Sequence, residues 1–118
     1  MPMFFKIKRV YAPPSPDDGQ RILVDRLWPR GLSKEKARVD LWMKEIAPSD
    51  ALRKQFGHDP AHWEAFRKGY LAELEGKREM LEELREKAAK ATLTLLFGAR
   101  DEARNNAVVL KQALEETS

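Results

Sequence analysis

The chain has 118 residues, 42% of them apolar and 35% charged, which is enough for one domain with a single core. It contains no cysteine, which excludes disulfides, thiolate nucleophiles and cysteine-ligated zinc or iron–sulfur centres. The 22 basic and 19 acidic residues leave a formal charge of +3. Because both signs are interleaved with apolar residues, they argue for a folded chain with a mixed surface rather than for disorder.

Lys6 and Lys8 interrupt the apolar start of the chain, so no signal-peptide core forms there. The longest apolar run, Ala91 to Phe97, is too short to span a bilayer. A cytoplasmic protein without a membrane segment is expected. Phe4 to Tyr11 alternates, with Phe5 and Ile7 on one face and Lys6 and Lys8 on the other, and reads as a strand. Ala12 to Gln20 is a turn-rich loop with Pro13, Pro14, Pro16 and Gly19. Arg21 to Trp28 is a second strand centred on Ile22, Leu23 and Val24, stopped by Pro29 and Gly31. Ser33 caps a short helical turn through Arg38.

Val39 to Ile46 alternates like a strand at Val39, Leu41 and Met43, although Leu41, Trp42 and Ile46 also fit a helical stripe; the strand is preferred. Ser49 or Asp50 caps a helix through Phe56, and Gly57 ends it. Asp59-Pro60 starts the next helix, with Asp as cap and Pro where no amide donor is needed. Trp63, Phe66, Tyr70 and Leu74 form its core stripe, and after a break at Gly76 the stripe resumes through Leu84 and Ala88. Thr92 to Phe97 is a buried strand. Asp101 opens the last helix, with Ala103, Ala107, Leu110 and Leu114 inward. Alternating strands and helices predict a single α/β domain over residues 1–118, with a small, mostly parallel sheet flanked by helices.

In open α/β sheets, ligands bind outside the carboxyl ends of the strands, and three polar stretches fall there. The first is Asp25-Arg26-Leu27-Trp28-Pro29-Arg30-Gly31. Two planar guanidinium forks beside an aromatic face suit a phosphate or carboxylate; an Asp25–Arg26 ion pair with Trp28 in the core is the structural alternative. The second runs from Trp42 to Ser49. Lys44 offers a point charge and Ser49 heads a helix, although serine after proline is a routine cap. The third is Phe97 to Asn106, where Gly98 permits close approach and Arg100, Asp101 and Asn105 follow; Asp101 capping its own helix is the alternative. His58 and His62 have a metal-like spacing, but Asp59 and Pro60 place His58 before the helix, so neither metal nor cofactor is expected.

The stretches Arg21 to Gly31, Leu41 to Ser49, Phe56 to Pro60 and Leu95 to Asp101 with Asn105 resemble, in that order, one branch of domain-of-unknown-function family 488. The resemblance implies a compact α/β domain and no particular reaction. Other branches of that family carry a cysteine at the end of the last strand and a Cys-His-Arg stretch soon after. Here Phe97 takes the first place and no cysteine exists, so thiol chemistry does not transfer. The wider family places a helix between the first two strands, whereas only Ala12 to Gln20 is available here. The alternatives are an extended crossover between parallel strands, which is preferred, or an antiparallel first pair.

These readings converge on a pocket for a small anionic ligand. Arg26, Arg30, Lys44 and Arg100 would hold charge, and Asp25 and Asp101 would orient them. Trp28 would form a wall, and Ser49 and Asn105 would supply hydrogen bonds. Arg26 is expected to be partly buried and held by a carboxylate, Asp25 or Asp101. The alternatives are a nucleic-acid-associated module, drawing on the basic excess between Arg21 and Lys44 with Trp28 and Trp42 for stacking, and a protein-interaction domain. The oligomeric state is left open.

Overall fold

In the computed structural model, which describes residues 5–116, four strands form one sheet. They are β1 (Phe5–Arg9), β2 (Gln20–Leu23), β3 (Leu41–Trp42) and β4 (Leu93–Phe97). Their order is β1-β4-β2-β3 and every pairing is parallel. Phe4, the expected start of the first strand, lies outside the described residues. β4 is buried at all of its residues because it has a strand on each side and a covered surface on each face. β1 is an edge strand, and its exposed Lys6 discourages pairing with another chain.

β1 and β2 run the same way on either side of β4, so the segment between them returns from the carboxyl end of β4, where Val10 donates to the Phe97 carbonyl, to its amino end, where Gln20 donates to the Thr92 carbonyl. Ser15 caps a 3-10 turn at Pro16–Asp18, and the Asp18 carboxylate accepts the Ser15 amide in return. At Gly19 (φ 63°) a Cβ would stand 2.1 Å from the Thr92 carbonyl oxygen, so only glycine lets the two backbones meet there. The tight turn and this close approach let the crossover dispense with a helix.

Among the described residues five helices complete the fold: α1 (Lys34–Ala37), α2 (Asp50–Phe56), α3 (Trp63–Glu75), α4 (Arg78–Lys90) and α5 (Asn106–Glu115). Side chains alternate across a strand, so Ile22, Val24, Leu93, Leu95 and Phe97 face one way. They share a core with Leu52, Phe66, Tyr70, Leu84 and Leu110 from α2 to α5. Burying one such leucine is worth about 2 kcal/mol. The opposite face is thinner: Leu23 and Leu96 meet Val10 and Ala37, with Trp28, Leu32, Val39 and Trp42 around them. No helix among the described residues is long and apolar enough to cross a membrane.

Three expectations are corrected. The second strand ends at Leu23 rather than Trp28, because Asp25 turns aside to bond Gly98 and Asn106. The third strand is Leu41–Trp42 alone; a 3-10 turn at Lys44–Ile46 follows and sends Ile46 into the core. The last helix starts at Asn106, with Asn105 as its cap through a bond from the Val108 amide. Asp101 instead caps a separate turn by accepting the Ala103 and Arg104 amides, so Ala103 is exposed rather than inward.

Candidate functional site

The carboxyl ends of β2 and β4 open into a cavity of about 400 Å³. Its walls come from the Asp25–Arg30 loop, the Gly98–Ala99 junction, Arg104 to Asn106, and α2 with His58 beyond it. Phe56 and Phe66 form its apolar side, with ring centroids 4.6 Å apart. Trp28 lies edge-on to Trp42 at 5.5 Å and donates its indole N–H to the Leu32 carbonyl (2.7 Å). The Trp42 indole donates to the Asp25 carbonyl at 2.7 Å, and the Tyr11 hydroxyl donates to the Arg30 carbonyl at 2.9 Å. Both ends of the loop are thereby tied down, so the wall is preformed.

Among the described residues, Asp25 is the only carboxylate lining this cavity. Its Oδ2 accepts the Gly98 amide at 2.8 Å, and its Oδ1 accepts the Asn106 side-chain N–H at 3.1 Å. Asn106 also donates to the Val24 carbonyl at 3.0 Å, which fixes its amide orientation. A Cβ on residue 98 would lie 3.1 Å from Oδ2, tighter than usual, so Gly98 is what lets the carboxylate close on the backbone. Burial pushes the Asp25 carboxyl above its ordinary range; the Gly98 and Asn106 bonds and the charges of Arg53 and His58 oppose that rise.

Four arginines line the same cavity: Arg26, Arg30, Arg53 and Arg104. Arg53 pairs with Asp50 at 2.7 Å and Arg104 with Asp101 at 3.3 Å, both in exposed settings. Arg26 is partly buried, as expected, but no carboxylate holds it. Its guanidinium donates to the Ala47 and Pro48 carbonyls at 3.3 and 3.4 Å. The cause is geometric: Asp25 is turned toward Gly98 and Asp101 is engaged in its own turn. Among the described residues neither Arg26 nor Arg30 has a salt-bridge partner.

The carbonyls that hold Arg26 are themselves anchored. The fully buried Tyr70 donates its hydroxyl to the Ile46 carbonyl at 2.6 Å, and burial pushes its phenol well above the usual range. Lys77 donates to the Glu45 and Ala47 carbonyls. Ser49 caps α2 and donates its hydroxyl and amide to Glu73, so its polar atoms are engaged inside the fold.

Of the residues singled out in the sequence, Asp25, Arg26, Trp28, Arg30 and Asn105 meet at the cavity. Lys44, Ser49, Arg100 and Asp101 stand outside its lining. Lys44 lies over the Trp42 ring at 5.1 Å. Sequence reasoning missed Arg53, Phe56, His58, Phe66, Arg104 and Asn106. The Phe56 to Pro60 motif held a signal for two of them. Gly57 (φ 54°) and His58 (φ 57°) are consecutive left-handed residues. For histidine that conformation costs about 1 kcal/mol, and it turns the chain so that His58 reaches the cavity. Among the described residues, no three His, Cys, Asp or Glu side chains come together to hold a metal ion.

Similar proteins occur in distant bacteria. The Escherichia coli (strain K12) protein named Uncharacterized protein YeaO is 46% identical over 108 residues, covering 92% of this chain and 94% of its own. Uncharacterized protein Rv3073c of Mycobacterium tuberculosis (strain ATCC 25618 / H37Rv) is 41% identical over 109 residues, covering 92% of each chain. No solved structure matches. The family described as the inactive DUF488-N3 subclade matches residues 4–118. With nearly its whole length matched, the protein belongs to the DUF488 family, in that subclade.

Proposed function

We propose that the protein binds a small anionic metabolite in the cavity at the carboxyl ends of β2 and β4. The observation that carries this reading is Arg26 and Arg30, two lining guanidiniums without a carboxylate partner among the described residues. A guanidinium fork matches carboxylate and phosphate geometry. Arg26 is also preset by the Ala47 and Pro48 carbonyls, so less ordering entropy opposes binding. Phe56, Phe66 and Trp28 would cover the apolar body of the ligand, and a volume of about 400 Å³ suits a metabolite rather than a polymer. The nucleic-acid alternative has less support, because Arg21 is buried against Asp18 and the two tryptophans pack on each other.

A thermal-shift screen with phosphorylated and carboxylated metabolites tests the proposal. A ligand at about a hundred times its Kd should stabilise the fold by about 2.7 kcal/mol, or about 10 °C in Tm. The shift should disappear in Arg26→Ala combined with Arg30→Ala. No shift with any anion, alongside salt-sensitive binding of single-stranded RNA, would transfer the reading to nucleic acid.

A further inference from the structure

Asp25 is an anomaly in a cavity that otherwise suits an anion. It is partly buried, yet among the described residues it forms no salt bridge, although four arginines share the same walls. Arg26 faces carbonyls, Arg53 faces Asp50 and Arg104 faces Asp101. Among the described residues the carboxylate meets two neutral donors, one on each oxygen. A carboxylate can accept about four hydrogen bonds, so about half of its capacity is left over by these two bonds in a residue that lines the cavity. Buried charges are normally paired, and a simple anion entering this space would be repelled by Asp25 even as the arginines attracted it.

We propose that the ligand carries an ammonium group as well as its anion, the ammonium docking on Asp25 while the anion meets Arg26 and Arg30. This rests on the anion-binding reading above and narrows it to a zwitterionic class, such as amino-phosphates or amino acids with a second acidic group. An ammonium supplies the missing countercharge, and its three N–H donors match the free lone pairs of Asp25. It converts the site's one repulsive contact into an attractive one, which is how a pocket rejects closely similar ligands. Gly98 and Asn106 would then serve to hold the carboxylate still for recognition.

The test is a calorimetric titration of the whole protein with three matched series of graded chain length: alkyl phosphates, ω-hydroxyalkyl phosphates and ω-aminoalkyl phosphates. At the chain length that spans the cavity, the amine should bind at least about tenfold more tightly than its alkyl counterpart, with the alcohol between them. In Asp25→Asn the order should reverse: alkyl phosphates should bind more tightly than to the wild type, and the amine should lose its advantage. Alkyl phosphates that bind as tightly as the amines at every length would overturn the zwitterion inference and leave anion binding intact. If no series binds, both fall. Should Asp25→Asn not fold, the three series on the wild-type protein decide by themselves.

Discussion

Two aspartate–arginine groups sit at opposite ends of β2, built from the same residue types and put to different uses. At the start of the strand, Asp18 and Arg21 form a buried ion pair at 2.5 Å. Arg21 also donates to the Ala37 and Arg38 carbonyls at the end of α1, Lys8 donates to Asp18, and the Thr94 hydroxyl donates to the Asp18 carbonyl. That group is closed. Past the end of the strand, Asp25 and Arg26 form no salt bridge with each other among the described residues, and both line a cavity with bonding capacity to spare. Burial pushes both carboxyls upward, but at Asp18 the Ser15 amide, Lys8 and Arg21 overcome it, and its pKa ends below the ordinary 3.8. At Asp25 burial wins and the pKa ends above it. Completeness of pairing, rather than residue type, separates a structural cluster from a candidate site.

Breaking the closed cluster should have the largest effect. Asp18→Asn leaves Arg21 buried without its countercharge and should cost about 3 kcal/mol, or about 10 °C in Tm. The pH dependence should change with it. A lowered folded pKa contributes stability above the unfolded value of about 3.8 and loses it as pH falls through the folded value. Asp25 has the opposite sign. Its raised folded pKa means that its charge costs stability at neutral pH, and the cost fades as pH falls from the raised value toward 3.8. Denaturant melts across the acid range should therefore show a shallower acid decline in Asp18→Asn than in wild type. A loss under about 1 kcal/mol, with an unchanged acid limb, would mean that the cluster is not structural.

The smallest effects should come from charged residues in neither cluster. Lys44→Ala and Arg100→Ala each remove an exposed side chain outside the cavity lining. Both should stay within about 0.5 kcal/mol of wild type in chemical denaturation, and both should retain the ligand-induced thermal shift. Loss of that shift in either variant would mean that the site extends beyond the cavity described.

The sheet and helices were largely legible in the sequence because apolar periodicity reports burial directly. The strand through Leu93–Phe97 (one residue shorter than the expected Thr92 to Phe97), the Trp63, Phe66, Tyr70 stripe and the caps at Ser33 and Asp59 stand where local pattern placed them. The errors fell where a tertiary contact outweighs the local signal. Asp101 and Asn105 are both good caps, and only the turn that Asp101 makes with Ala103 and Arg104 decides that Asn105 heads α5. Val39 to Ile46 carried strand and helix periodicities together, and two paired residues followed by a 3-10 turn satisfied neither in full. For the site, strand ends pointed to the edge of the sheet where the cavity opens. They could not show that Ser49 bonds Glu73, or that Arg53 and His58 reach the cavity from α2 and the turn beyond it.

The most direct measurement is an NMR titration that follows the arginine Nε–Hε resonances while inorganic phosphate is added to the intact protein. Arg26 and Arg30 should shift together along one saturable curve, while Arg21, already satisfied by Asp18 and the end of α1, should stay in place. Arginine shifts that are absent, or spread evenly without saturation over exposed residues such as Arg100, would contradict the assignment of the open cluster to anion binding.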